Sequence, residues 1–135
     1  MSARASLLAG CIALMTALVV SPVKAEDAAH QACMEKAGGV TVEMLDCIGA
    51  AYERQDKALN VLWNRMLPSL KPDVKALMRE AQRQWIVYRD TTCVAEAAVW
   101  GKASFAAIAG ADCRLRLVTE RVKWLDRIIF GDRGQ

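Results

Sequence analysis

Hydrophobic residues recur at three- and four-residue intervals along most of this chain, the spacing typical of amphipathic helices, and no segment alternates with a period of two. Glycine and proline interrupt the pattern at few positions: Gly38-Gly39, Pro68, Pro72, Gly101 and Gly110. The intervening segments predict helices over 27–37, 42–67 and 72–100, and a last helix that ends near Phe130. We therefore predict an all-α fold, an antiparallel bundle of three long helices and a short N-terminal helix joined by short loops.

The residues at the predicted helix ends are suited to those positions. Thr41 is a suitable N-cap for the second helix, and Pro72 fits the first turn of the third, where the acidic Asp73 is also favoured. Gly101 predicts the end of the third helix, and Ser104 is a suitable cap for the helix that follows.

Two of the long helices have one clearly apolar face when successive residues are placed 100° apart. On the second helix this face contains Met44, Leu45, Ile48, Ala51, Tyr52, Leu59, Leu62, Trp63 and Met66. On the last helix it contains Leu117, Val118, Val122, Leu125, Ile128 and Ile129. We expect these two faces to supply most of the core.

The beginning of the chain has the pattern of an export signal. Arg4 precedes an apolar run over 7–20, and its 14 residues are too few to span a bilayer comfortably. Val23-Lys24-Ala25 then supplies a small-x-small cleavage site. We predict a signal peptide over 1–25 and a single mature domain over 26–135.

Cys11 raises an alternative, because Leu8-Ala9-Gly10-Cys11 is similar to the site at which a lipoprotein signal is cut. The apolar run continues well beyond Cys11, whereas a lipoprotein signal would end there. We therefore place Cys11 inside the signal core and expect a periplasmic or secreted protein with no membrane association after cleavage.

The charge gives no indication of a nucleic-acid or membrane partner. Loss of Arg4 and Lys24 with the signal reduces the 18 basic residues to 16, against 15 acidic ones, so the mature net charge would be +1. Proteins that bind phosphate backbones or anionic membranes usually carry a basic patch or stripe. No such stripe is evident, and neither partner is expected.

Four cysteines follow the predicted signal: Cys33, Cys47, Cys93 and Cys113. An even number in an oxidising compartment predicts two disulfides, for which sequence alone permits three connectivities. We predict Cys33–Cys47 and Cys93–Cys113, because each pair brackets a turn between consecutive helices. The chain has no C-x-x-C motif and no Cys/His cluster, so we expect no metal and no cofactor.

Polar residues interrupt the inward faces of all three long helices. On the third helix Gln82, Arg89 and Glu96 lie within about 60° of Cys93, which points inward if it is bridged. Similar interruptions occur on the second and last helices. We predict a buried polar network composed of Gln55, Asp56, Gln82, Arg89, Glu96 and Arg121.

The two inward arginines of this network need partners, because an unpaired buried guanidinium costs several kcal/mol. Asp56 and either Glu96 or Glu120 are the expected carboxylates, and Arg121→Met should then cost about 3 kcal/mol or more. Such a network either fixes the register of the helices or lines a cleft for a partner. The sequence leaves both interpretations open.

The sequence lacks the usual residue combinations of a catalytic site, so we do not expect an enzyme. His30, the only histidine, lies close to the predicted mature terminus, where we expect it to be solvated. Without it no Ser/His/Asp or Cys/His arrangement can form. Asp56, Glu96 and Glu120 could meet in space, but neighbouring arginines would hold them ionised, the wrong state for a general acid.

The tryptophans have two different predicted roles. Trp63 and Trp85 occur at helical spacing and are expected in the core. Trp100 lies at a helix end beside Gly101, and we expect it to be partly exposed. The turn that contains Trp100, Lys102 and Ser104 is therefore the candidate surface for a partner.

Several strings of the chain resemble the LprI/YecT-like family, small exported bacterial domains named after a member that inhibits lysozyme. They are Asp46-Cys47, Ala51-Tyr52, Asp56, Leu59-Asn60, AQRQWIVYRDTTC at 81–93, Cys113, Thr119-Glu120-Arg121 and Leu125. The resemblance covers nearly the whole predicted mature chain. Relatives often have Gly-Gly-Ser in the loop after the third helix, where this chain has Gly101-Lys102-Ala103-Ser104.

The resemblance implies a helical, disulfide-bonded periplasmic domain that binds lysozyme or another cell-wall hydrolase. Lys102 could then meet the catalytic carboxylates of a lysozyme cleft, with Trp100 as an apolar anchor. The alternative is a structural or stress-related envelope protein with no hydrolase target. The oligomeric state and the class of lysozyme are open.

Overall fold

The computed structural model describes the backbone of residues 22–131 and the side chains of residues 28–131. The predicted signal core at 7–20 and Cys11 lie outside the described residues. The cleavage site after Ala25 therefore stays a prediction.

The described chain consists of four helices and one short 3₁₀ turn and contains no strand. The helices are α1 (Pro22–Ala37), α2 (Thr41–Met66), α3 (Pro72–Val99) and α4 (Ser104–Phe130), and the turn is Leu67–Ser69. The predicted all-α fold with three long helices and a shorter N-terminal one is confirmed. None of these helices combines the length and apolar character needed to cross a membrane.

Two predicted caps were wrong by one residue. Thr41 and Ser104 are the first residues of α2 and α4, and the extended residues before them are Val40 and Ala103. A side chain caps a helix from an extended backbone position, which Thr41 and Ser104 do not occupy. Neither helix start has a side-chain cap hydrogen bond.

Glycines with positive φ make two of the helix ends possible. Gly38 and Gly39 follow α1 with φ of 56° and 87°, and Gly101 follows α3 with φ of 73°. Other residues rarely adopt this left-handed conformation, so these glycines end the helices as predicted. Gly110 differs, because it lies inside α4, where its position would bring an added Cβ within 3.2 Å of the Ala97 Cβ. It is a site of close helix packing and not a break.

Helix α4 packs against both α2 and α3, and α1 packs against α2. The core between α2 and α4 contains Leu59, Met66, Val118 and Leu125, and Trp63 and Trp85 pack against it half-buried, as predicted. A second buried group, Cys93, Cys113 and Leu117, joins α3 to α4. Ile128 was predicted to face inward but is 47% exposed, because it lies on the opposite side of Leu125 from Val122 and Ile129, at the edge of the face that packs on the core.

Both predicted disulfides are present. Cys33–Cys47 joins α1 to α2, and Cys93–Cys113 joins α3 to α4. The second bridge is fully buried, and it lies near the end of the molecule where the turn between α3 and α4 begins.

Candidate functional site

The inward polar residues of α3 and α4 meet where Gln82 faces Arg121. The Nε and Nη2 of Arg121 both donate to the Gln82 Oε1, at 3.1 and 3.0 Å. The bonds are charge-assisted on the arginine side, which makes them stronger than bonds between neutral groups. They connect two helices through residues that the sequence had placed in one network.

Trp85 lies between two guanidinium groups. The Cζ atoms of Arg89 and Arg121 each lie over its ring, 5.3 Å from the centroid. Arg121 also lies over Trp124, with its Cζ 4.1 Å from that centroid. Each cation–π contact contributes about 0.5–2 kcal/mol, depending on its exposure to water. The indoles of Trp85 and Trp124 therefore stabilise the positions of these arginines in addition to any ion pair.

Arg89 has both neutral and charged partners. Its Nη1 donates to the Tyr52 hydroxyl at 3.0 Å and thereby links α3 to α2, and its Nε donates to Asp90 at 2.9 Å. Burial alone would lower the Arg89 pKa, but the Asp90 hydrogen bond and the charges of Tyr52, Asp90 and Asp56 raise it above its ordinary value. Arg89 therefore stays charged, with Asp90 as its carboxylate.

The predicted carboxylate partner of Arg121 was wrong. Glu96 pairs instead with Arg116 at 2.8 Å, and Glu120 lies 4.0 Å from that same arginine. Within the described part of the chain Arg121 has no carboxylate partner, and burial lowers its pKa. A helical wheel gives the direction in which Glu96 points, but it does not show that Arg116 is close enough to pair with it.

The network is also less buried than predicted. None of the described polar or charged residues is fully buried, and Glu96 and Arg116 have side chains 41% and 47% exposed. Asp56 is half-buried and accepts from the Asn60 amide at 3.1 Å, while it reaches Arg89 only through its longer-range charge. Gln55 is half-buried, and within the described chain it makes no hydrogen bond to Arg89 or Arg121.

The structure also corrects the expectation for His30. This histidine is half-buried, and its Nδ1 is a buried atom without a hydrogen-bond partner. It lies on α1 beside the Cys33–Cys47 bridge in sequence, so packing of α1 onto α2 covers part of it. Among the described residues no group of three or more His, Cys, Asp or Glu could hold a metal ion.

The turn between α3 and α4 presents aromatic surface to solvent, as predicted for Trp100. Trp100 is 54% exposed, and its ring meets that of Phe105, which is 50% exposed, edge to face at a centroid distance of 4.7 Å. Lys102 and Ser104 lie between the two aromatics in sequence, and both are exposed. Exposed aromatics that support each other are common anchors of protein interfaces.

The base of this turn is held in three ways. The Cys93–Cys113 bridge joins its two helices, the Arg116–Glu96 ion pair crosses between them, and Gly110 allows a close approach to Ala97. A turn held in this way loses little conformational entropy when it binds.

Four contributing residues were missed by the sequence interpretation. Phe105 and Trp124 could have been found by spacing, since Phe105 is the second residue of the helix that follows Trp100 and Trp124 lies one turn beyond Arg121. Tyr52 was assigned to the apolar core, although its hydroxyl needed a polar partner. Asp90 adjoins Arg89 in sequence, so a helical wheel places the two side chains on different sides of α3. The Arg89 Nε nevertheless donates to the Asp90 carboxylate.

Arg121→Met should lower the free energy of unfolding by about 1–2 kcal/mol. The variant loses the Gln82 hydrogen bonds and two cation–π contacts. Two effects offset part of this loss: methionine packs well on indoles, and folding no longer removes a charged guanidinium from water. Denaturant unfolding measures the change. Arg89→Met should cost more, because it also leaves the half-buried Tyr52 hydroxyl without its partner. A loss of about 3 kcal/mol for Arg121→Met would instead indicate a stranded buried carboxylate.

The fold and the disulfides define a small, all-α, disulfide-bonded domain. The chain belongs to the family described as lysozyme inhibitor LprI, whose model matches residues 33–125. The match spans both bridges and the turn between α3 and α4. Comparisons with curated proteins and with solved structures found no significant match.

Family membership agrees with the two disulfides, which indicate an oxidising compartment. The family is described by inhibition, an activity of binding proteins rather than of enzymes. The strings that carry the resemblance also meet in space, since Tyr52, Gln82, Trp85, Arg89 and Arg121 form the cluster that connects α2, α3 and α4.

Proposed function

We propose that this protein is an exported inhibitor of lysozyme or of another cell-wall hydrolase and that it acts by binding, without catalysis. The observation that carries the proposal is the match of residues 33–125 to the lysozyme inhibitor family. We expect the mature domain to be residues 26–135 and to bind its target without a cofactor.

The binding surface that we propose is the turn from Trp100 to Phe105. A hydrolase cleft is concave and lined with sugar-binding groups, and a protruding turn with an aromatic pair has a shape that fits it. Glycoside hydrolases use a pair of carboxyl groups at the bottom of the cleft. Lys102 lies at the tip of the turn, beside the positive end of the α4 dipole, and α4 has no acidic residue in its first turn.

The overall charge supports a local rather than a long-range attraction. With a mature net charge of +1, the protein would gain little from electrostatic steering toward a cationic enzyme. Affinity would depend on apolar burial at Trp100 and on a short-range contact of Lys102. Inhibition should therefore change little with moderate salt.

Purified mature protein should slow lysis of bacterial cell walls by at least one lysozyme type, and Trp100→Ala and Lys102→Glu should each weaken this inhibition about tenfold or more. Both residues are exposed, so both variants should stay folded by circular dichroism. Lys57→Glu and Ile128→Ala are the controls, because the first makes the same charge reversal and the second truncates an exposed apolar side chain, both away from the turn.

Undiminished inhibition by both turn variants would exclude this surface. No inhibition by the parent protein across several lysozyme types would favour the alternative, a structural or stress-related envelope protein. A pull-down from envelope extract would then search for its partner.

Export predicts a defined mature terminus. Mass spectrometry of periplasmic material should give a chain that begins at Glu26, because Val23-Lys24-Ala25 provides the cleavage site. A chain that begins with a diacylated Cys11 would show that the lipoprotein alternative is correct.

A further inference from the structure

Arg121 has one unused edge. Gln82 accepts from Nε and Nη2, the two nitrogens on one side of the guanidinium. The second hydrogen of Nη2 and both hydrogens of Nη1 have no acceptor among the described residues. These hydrogens form the end-on edge of the group, which can hold the two oxygens of one carboxylate.

This edge is open to water. His30 Nδ1 is the one buried side-chain nitrogen or oxygen of the described residues that lacks a partner, and Arg121 Nη1 is not in that state. Since Nη1 makes no hydrogen bond within the described chain and is not enclosed, solvent reaches it. A ligand can approach along the same path.

The arginine is also held in place before any ligand arrives. Gln82 fixes one edge, and the rings of Trp85 and Trp124 lie against the guanidinium at 5.3 and 4.1 Å. A free surface arginine must give up rotamer freedom when it binds, which weakens its affinity for the ligand. Most of that cost has already been met in folding.

The local charge favours an anion. Two guanidinium groups, Arg89 and Arg121, lie over the single ring of Trp85, and only Arg89 has a carboxylate, Asp90. Burial lowers the Arg121 pKa because the charged form is partly removed from water without a counter-charge. A bound carboxylate would supply that counter-charge.

We propose that the Nη1–Nη2 edge of Arg121, framed by Gln82, Trp85 and Trp124, is a binding site for a carboxylate group. The two oxygens of a planar carboxylate can accept from the two parallel hydrogens of the edge. The site is separate from the inhibitory turn, because Arg121 lies 17 residues along α4 from Ser104, about 25 Å at the rise of a helix. It does not depend on hydrolase inhibition.

The test follows the Arg121 Nε–H and the Trp85 and Trp124 indole N–H signals by nuclear magnetic resonance of the parent protein, so it needs no variant to fold. Sodium acetate should shift these signals saturably, with a dissociation constant in the millimolar range. Inorganic phosphate at the same ionic strength is the competing anion, because two phosphate oxygens can also accept from a guanidinium edge. No saturable shift with acetate, or tighter binding of phosphate, would overturn the proposal.

Short peptides separate the two sources of a carboxylate. Acetyl-Ala-Glu-Ala-amide presents a side-chain carboxylate, and acetyl-Ala-Ala-Ala with a free C-terminus presents a terminal one. At least one should bind, and their neutral forms, with glutamine or a C-terminal amide, should not. Equal binding of charged and neutral peptides would contradict a carboxylate site, whereas the tighter charged peptide would identify the source.

Arg121→Lys keeps the charge but removes the two-pronged edge, and it should weaken acetate binding about tenfold. Arg83→Lys is the matched control, because Arg83 is an exposed arginine of α3 that pairs with Glu80. Circular dichroism checks that both variants are folded. Equal loss of binding in the two variants would show that acetate binding does not depend on the Arg121 edge in particular and would reject the site.

Discussion

Leu125→Ala should lower the free energy of unfolding by about 3 kcal/mol. Leu125 is 0% exposed and belongs to the core cluster that joins α2 to α4, with Leu59, Met66 and Val118. Its removal leaves a cavity in the core between α2 and α4, which the surrounding side chains fill only partly. Urea unfolding at constant slope measures the loss.

Ile128→Ala is the matched control for this variant. It removes a side chain of the same size from the same helix, three residues later, but Ile128 is 47% exposed. We expect a cost below about 1 kcal/mol. Equal losses for the two variants would mean that α4 is rotated relative to the core described above.

Removal of the Cys93–Cys113 bridge has the other large expected effect. The bridge closes a loop of 20 residues, and the chain-entropy account gives about 3 kcal/mol for its loss in a Cys93→Ala, Cys113→Ala double variant. Both sulfurs are buried between α3 and α4, so the variant also loses packing. Thermal unfolding should show the change.

The Cys33–Cys47 bridge provides the comparison. Its 14-residue loop is worth a similar amount in the entropy account, but Cys33 is exposed and the bridge holds only α1 to α2. The Cys33→Ala, Cys47→Ala variant should therefore lose less stability. A larger loss from this pair would contradict the placement of the core between α2, α3 and α4.

Helix bounds and disulfides were predictable because local chemistry determines them. Pro72 and Gly101 define α3 almost to the residue, and the bridges follow once consecutive helices are known to be antiparallel. Ile128 was not, since it lies at the edge of the apolar face of α4, where only the placement of the neighbouring helices decides whether a residue is covered. Gly110 was misinterpreted for a related reason, because the sequence alone does not distinguish a glycine that lets two helices pack closely from one that ends a helix.

The polar cluster shows a different limit. The wheels indicated that Gln82, Arg89 and Arg121 turn inward, and the structure brings Gln82 to Arg121. The choice of partners could not be obtained in this way, because long side chains select among acceptors several ångströms apart. Arg116 pairs with Glu96, and Arg121 contacts the Gln82 amide and the indoles of Trp85 and Trp124 instead.

The most direct test of inhibition through the Trp100 turn is a competition for the lysozyme cleft. Binding of the mature protein to a lysozyme that it inhibits should be measured with and without an oligosaccharide fragment of the cell wall, which occupies the cleft. If the turn enters the cleft, the apparent dissociation constant should rise in proportion to the oligosaccharide concentration, and Trp100→Ala should bind weakly even without it. Simultaneous binding of protein and oligosaccharide, with an unchanged dissociation constant, would contradict the account.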